Sequence, residues 1–359
     1  MKINLFNLIF TSFILTISCS DTELNEKEKE ADKIINTFIN KNKIPGLSIT
    51  ILNEAGYIKY SKGFGYADLN RKIVVTPKNS IFRIGSFSKT LAGTALMKMY
   101  EENKIELDSS VSFYIKELPA DKKKITLRQI AGHLSGIRHY GDGDDMNLNL
   151  NYDNTIEALN IFIQDSLLFD PGTKYSYSTH AWTLLSLAME NAYGENFIEL
   201  MKKEILNPLQ LDKTHAEEID LFLEEKVTFY EKNESGKIIL CPDVNNSWKW
   251  AGGGYLSTTQ DMAKFTWKVL YSDFLKPETV KEMTESQKLP NDKKTNYGIG
   301  WRIRYDNEKN PYLGHTGGSV GGTTFVFSSK NKTVISIMAN TSDASFGNLP
   351  YELINIFEN

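Results

Sequence analysis

The sequence predicts an α+β fold in which one antiparallel sheet, built from both chain ends and flanked by helices, carries a helical insertion lobe. Short extended runs rich in β-branched residues occur near the front, from Leu47 to Gly63, and return near the end, from Tyr297 to Asn340. Between them, about 105–245 reads as mainly helical with long polar loops. Terminal strands with helices between them bury their faces best by joining in one sheet.

Composition sets the outer bounds. The chain has 359 residues, 41% hydrophobic and 24% charged, which excludes disordered, collagen-like and polytopic membrane classes. Lys plus Arg (41) against Asp plus Glu (45) gives a net charge of −4, with no basic block to track a nucleic-acid backbone.

The elements follow in order. Met1-Lys2 precedes an apolar stretch, Leu5 to Ile17, too short to span a bilayer but suited to a secretory signal. It ends Leu15-Thr16-Ile17-Ser18-Cys19, which resembles a bacterial lipoprotein signal with cleavage before the cysteine. We therefore expect a signal peptide at 1–19, a polar tether at 20–30 and one domain at 31–359. The protein would be exported and held on a membrane by lipid on Cys19. Cys241 is the only other cysteine, which leaves it a structural role, with no disulfide and no thiolate zinc site.

A helix is expected over 23–42, with Ala31, Ile34, Ile35, Phe38 and Ile39 on one face. Leu47–Leu52 and Tyr57–Gly63 read as a hairpin around Asn53–Gly56. Ile81–Gly85 leads into a helix from Ser86 to Glu102, with Leu91, Ala95 and Met99 inward. Gly141–Asn154 reads as a loop whose acidic residues do not match calcium-ligand spacing. A helix over 181–193 follows the Pro171-Gly172 turn, and another begins near Ser257, which with Gln260 reads as a capping box. Tyr297–Tyr305, Thr323–Ser328 and Thr333–Asn340 are strand-like, and a helix over 349–357 ends the chain.

The string Ser-x-x-Lys occurs twice, at Ser86–Lys89 and Ser329–Lys332. Only Ser86 stands where a strand hands over to an apolar-striped helix, which places Lys89 one turn away on the same face. There the helix N-terminus supplies free N–H groups, and a shielded lysine can act as base toward the hydroxyl. Local residues alone also allow Ser86 as a helix cap and Lys89 as a solvated side chain. Gly317-x-Ser319-x-Gly321 matches a nucleophile-elbow pattern, but extended segments follow it and no histidine lies beyond His315. The five histidines form no closely spaced pair typical of a metal site.

Four ordered motifs then add up. They are Ser86-Phe87-Ser88-Lys89, Pro171-Gly172-x-x-Tyr175-Ser176-Tyr177-Ser178, Ala251-Gly252-Gly253-Gly254-Tyr255-Leu256-Ser257-Thr258, and His315-Thr316-Gly317-Gly318. Together they resemble the penicillin-recognising serine hydrolases, in the branch of class C β-lactamases and D-Ala-D-Ala carboxypeptidases. The strings His133–Tyr140 and Asn246–Gly254 are similar to the mitochondrial serine β-lactamase-like subgroup. The resemblance implies Ser86 as nucleophile, Lys89 as its proton acceptor and Tyr177 as second acid/base. It also implies His315 in the place of a lysine, and the N–H groups of Ser86 and Gly318 as oxyanion hole. Thr179, Thr316 and Gly317 would contact the substrate, a peptide or small acyl compound, with no cofactor. Histidine for lysine at 315 and Thr179 for asparagine imply a peptidase, amidase or esterase with weak β-lactamase activity. Alternatives on the same fold are a non-turnover binder of cell-wall fragments and, from the subgroup's association with filaments, a self-assembling scaffold. His133 and His139 are expected to hold the loop bounding the site; Trp248 and Trp250 either line the cleft or pack on the sheet.

Overall fold

The computed structural model describes residues 5–141, 145–306, 308–342 and 344–358, with side chains from Leu24 onward, Asp145 excepted. The side chain of Cys19, and with it the expected lipidation, lies outside the described residues. Helix α1 (Leu5–Asn42) runs on through 20–30, the segment expected as a tether. Its Ala31 and Ile35 are fully buried, and Ile34, Phe38 and Ile39 pack beside them, the face that the periodicity predicts.

The strands are β1 (Gly46–Leu52), β2 (Ile58–Asp68), β3 (Ile73–Val74), β4 (Phe82–Arg83), β5 (His215–Ala216) and β6 (Tyr230–Lys232). They continue as β7 (Ile238–Leu240), β8 (Tyr255–Ser257), β9 (Arg302–Tyr305), β10 (Pro311–Ser319), β11 (Gly322–Ser328) and β12 (Val334–Ala339). Seven form one sheet in the order β3-β2-β1-β12-β11-β10-β9, so the first strand lies beside the last, with Ile49 opposite Ile337. Every pairing in it is antiparallel. This is the sheet from both ends that the sequence predicts.

Alternation along the strands splits the core. Leu47, Ile49, Ile51, Phe325, Phe327, Ile335 and Ile337 face α1 and the C-terminal helix Leu349–Glu358. Val326 and Met338 face the larger cluster shared with α2 (Ser88–Glu101) and the helical lobe. Ser48 and Thr50 on that side meet the Thr259 hydroxyl of the helix Thr259–Tyr271.

Three boundaries differ from expectation. The helix Thr259–Tyr271 is capped by Thr258, whose hydroxyl accepts the Asp261 N–H, because Ser257 is the last residue of β8. The strand expected over 297–305 begins only at Arg302: Gly300, at φ +75°, lies against Lys89 O of α2 and turns the chain. β10 runs through His315, where the sequence shows no strand-like segment, because three interior glycines mask that strand.

Candidate active site

A small sheet, β4-β8-β5, delivers the candidate nucleophile. The Ile84 N–H donates to Tyr255 O at 3.0 Å, and the Tyr255 N–H donates to Ser88 Oγ at 3.1 Å, fixing the chain on both sides of Ser86. Ser86 itself lies on a 3₁₀ turn, Gly85–Phe87, and α2 starts two residues later, so Ser86 is not a helix cap. Gly85 has φ +50°, and a Cβ there would meet Gly318 O at 2.6 Å. Glycine thus lets the turn lie directly against β10, which brings the backbone of Gly318 beside Ser86.

Lys89 is completely buried. Its Nζ lies 3.3 Å from Ser86 Oγ, donates to Thr179 Oγ1 at 3.0 Å and to Gly252 O at 2.5 Å, and sits 4.9 Å from the Tyr177 ring centroid. No carboxylate is among these contacts. Burial, then repulsion from Lys249 and Arg302, holds its pKa well below the ordinary lysine value of 10.5. Nζ can donate to all three oxygens, and loss of one proton would leave its lone pair free toward one of them, the Ser86 hydroxyl.

Tyr177 faces the same space. The residue is half-buried with its Oη buried, and it interacts with the Ser86 hydroxyl without a well-formed hydrogen bond. Burial raises the phenol pKa above its ordinary 10, against the opposing effects of Ser86 and Arg302. The segment around it is anchored on the loop before it. The Ser176 N–H donates to His133 O, the Ser178 N–H to His133 Nδ1 and the Thr179 N–H to His139 Nδ1. Ser178 Oγ then accepts the Ala181 N–H and starts the helix His180–Tyr193.

β10 forms the opposite wall. His315 is buried, and both ring nitrogens are engaged: Nδ1 with Thr316 O at 2.5 Å, and Nε2 with Tyr297 Oη at 2.9 Å. The carbonyl can only accept, so Nδ1 carries the proton and Nε2 accepts from the phenol. Burial and the nearby Arg302 keep this ring neutral, with its pKa well below 6.5. His315 therefore presents no nitrogen to the cleft, unlike the lysine it was expected to replace. Thr179 also departs from expectation: it is buried, and its hydroxyl serves Lys89 rather than the open cleft. The cation at this edge is Arg302 of β9, 5.5 Å from the Tyr177 ring centroid, with Nη1 3.4 Å from Thr316 Oγ1. Thr316 is half-buried and Gly318 exposed, whereas Gly317 is buried against Ile84 O.

Sequence reasoning missed Arg302, Tyr297 and Lys249. The available signal for Arg302 was a cation on a strand next to His315-Thr316-Gly317. Lys249 is buried, with its ammonium over the Tyr140 and Trp248 rings at 5.4 and 4.8 Å. Trp248 is core, while Trp250 is partly buried and its indole donates to Glu217 O. Beneath the site, Arg83 and Glu217 form a buried ion pair at 2.9 Å, and Arg83 Nη1 also donates to Val320 O, tying β4 to the β10–β11 turn.

The remaining candidates lie apart from this constellation. Ser319 Oγ is buried at the end of β10 and donates to Gly322 O, with a strand rather than a helix following. Ser329 opens the turn between β11 and β12. The Cys241 thiol is half-buried and pushed up to about 11 by burial, so it is a poor nucleophile. Of the loop 141–154, the described part is fastened to 245–247 by Leu148 O and the Tyr152 N–H, next to Lys249.

Comparison with known proteins gives the chain its family. The family described as Beta-lactamase matches residues 31–355. The serine beta-lactamase-like protein LACTB of human mitochondria (Homo sapiens) is 28% identical, over 78% of this chain and 68% of its own length. The octameric penicillin-binding protein homologue from Pyrococcus abyssi superposes with a TM-score of 0.75 at 25% identity, covering 88% of this chain and 74% of its own. The D-amino acid amidase from Ochrobactrum anthropi SV3 gives a TM-score of 0.80 at 18% identity, covering 94% and 99%, a likeness of fold. With sheet, helical lobe and matched span in agreement, the chain belongs to the Beta-lactamase family, whose members share this serine-hydrolase fold.

Proposed function

We propose that this protein is an exported, lipid-anchored serine hydrolase that forms an acyl-enzyme on Ser86. It would act on peptide, amide or ester substrates and turn over β-lactams poorly. The observation that carries the reading is a fully buried Lys89, depressed in pKa, with Nζ 3.3 Å from a half-exposed serine hydroxyl. The apolar segment ending at Cys19 supports export and anchoring.

In this reading Ser86 Oγ attacks the acyl carbon while its proton passes to Lys89 Nζ. The carbonyl π pair moves onto oxygen, which the N–H groups of Ser86 and Gly318 stabilise. Collapse breaks the bond to the leaving amine or alkoxide, which takes a proton from Tyr177 Oη, and the Lys89 ammonium restores that proton. A water then attacks the Ser86 ester, its proton returns to Oγ through the same groups, and the acid departs. Because His315 and Thr179 are engaged elsewhere, the polar end of the substrate meets Arg302 and Thr316. Both groups suit a carboxylate or carbonyl oxygen. The Ochrobactrum relative, named an amidase, agrees with an amide among the substrates.

The test is a panel of nitrophenyl esters, D- and L-amino acid amides and a chromogenic cephalosporin, with wild type and Ser86→Ala. Ester or amide turnover should fall by about 10³ or more in the variant, and the cephalosporin should be the slower substrate in wild type. Unchanged turnover in Ser86→Ala would overturn the nucleophile. Cephalosporin turnover equal to that of the best ester would overturn the specificity.

A further inference from the structure

We propose that His133 is a positioning residue that sets Tyr177 for proton transfer by clamping the backbone on both sides of it. The inference rests on the acid/base reading of Tyr177 above. His133 is fully buried with φ +62°, a left-handed conformation that few residues other than glycine adopt. In that conformation one residue meets three demands. Its carbonyl accepts the Ser176 N–H at 3.0 Å, its ring Nδ1 accepts the Ser178 N–H at 3.1 Å, and its ring lies 4.1 Å from the Tyr177 ring centroid. The residues before and after Tyr177 are thus both bonded to His133, and the tyrosine ring rests on it.

Such a clamp matters because no conventional hydrogen bond directs the Tyr177 phenol. Its Oη interacts with the Ser86 hydroxyl but makes no well-formed hydrogen bond, so backbone and ring packing hold its direction. The clamp works with a neutral imidazole. Nδ1 accepts, so the ring proton is on Nε2, which is buried with no partner among the described residues. A second ring proton would turn Nδ1 into a donor facing the Ser178 N–H. The groups around the ring, namely Lys89, Arg302, His139, His315, Tyr175, Tyr177 and Tyr297, offer no carboxylate to favour that state. His139 extends the arrangement by accepting the next amide, that of Thr179.

The test is a double-mutant cycle on the Ser86 acylation rate, kcat and KM with an alkyl ester or amide, whose leaving group needs the Tyr177 proton. His133→Gly keeps the backbone conformation and removes the ring; His133→Asn tolerates the same φ and returns a side-chain acceptor. His133→Gly should slow acylation by about 10- to 100-fold, the cost of a misaligned group, mainly through kcat, and His133→Asn should recover part of the loss. In a Tyr177→Phe background both changes should cost less than about twofold, since the group they position is gone. If His133→Gly does not fold, His133→Asn carries the same cycle. Equal losses in both backgrounds, or none in either, would overturn the clamp while leaving Tyr177 its role. Wild-type acylation by Tyr177→Phe would overturn that role and the clamp with it; the adduct on Ser86 is judged separately by Ser86→Ala.

Discussion

Substituting Gly85 by alanine tests how closely the nucleophile turn must approach β10. A Cβ on Gly85 would lie 2.6 Å from Gly318 O and 2.9 Å from Gly318 N and C, all backbone atoms that cannot swing aside. Carbon–oxygen contacts below about 3.0 Å essentially do not occur, so the turn and the strand must part by about 0.4 Å or more. In the proposed mechanism the N–H groups of Ser86 and Gly318 hold the oxyanion, and one such donor is typically worth about 10²–10³ in rate. We expect Gly85→Ala to fold, to lose about 1–2 kcal/mol from its φ of +50°, and to acylate about 10- to 100-fold more slowly. Gly253→Ala is the control, since its Cβ would meet only ordinary contacts at 3.8 Å and beyond. The assay is stopped-flow acylation beside thermal unfolding of each variant. A folded Gly85→Ala that acylates within twofold of wild type would refute the reasoning.

Further outcomes follow from the same geometry. Lys89 must be neutral to take the Ser86 proton, so acylation should rise with pH through its lowered pKa and be lost below it, as an acid limb well under 10.5. Tyr177 is raised above 10 and should add no alkaline fall below that pH. Lys249→Met removes a neighbouring positive charge, so the acid limb should move to higher pH, read from pH–rate profiles of both proteins. Glu217→Gln leaves Arg83 buried without its counter-ion and should cost about 3–5 kcal/mol in urea unfolding; a loss under 1 kcal/mol would contradict the account. Arg302→Met should raise KM for carboxylate-bearing esters by at least about tenfold, with a smaller change for neutral ones; equal KM values would remove Arg302 from substrate binding.

The features legible in the sequence are those carried by periodicity or by local order along the chain. The α1 stripe, the β1–β2 hairpin, the inward face of α2 and the joining of both ends in one sheet are patterns of period 3.6 or 2. Ser86 and Lys89 are close in sequence, so their partnership in space follows from one helical turn. What escaped depends on long-range placement. Arg302 and Tyr297 flank Gly300, which turns the chain against α2, and Lys249 acts on Lys89 from 160 positions further along the chain. β10 was hidden because Gly314, Gly317 and Gly318 depress its strand signal, although Gly317 is what permits its close approach to Ile84. The roles expected of His315 and Thr179 presumed open side chains. Each instead found a partner inside the protein, which residue type alone does not reveal.

The central claim is that Ser86 is the nucleophile, and intact-mass measurement after a fluorophosphonate tests it most directly. Wild type, Ser86→Ala and Ser319→Ala would be treated side by side. The account predicts a single adduct in wild type and in Ser319→Ala, and none in Ser86→Ala. An adduct that persists in Ser86→Ala, or is lost only in Ser319→Ala, would contradict it.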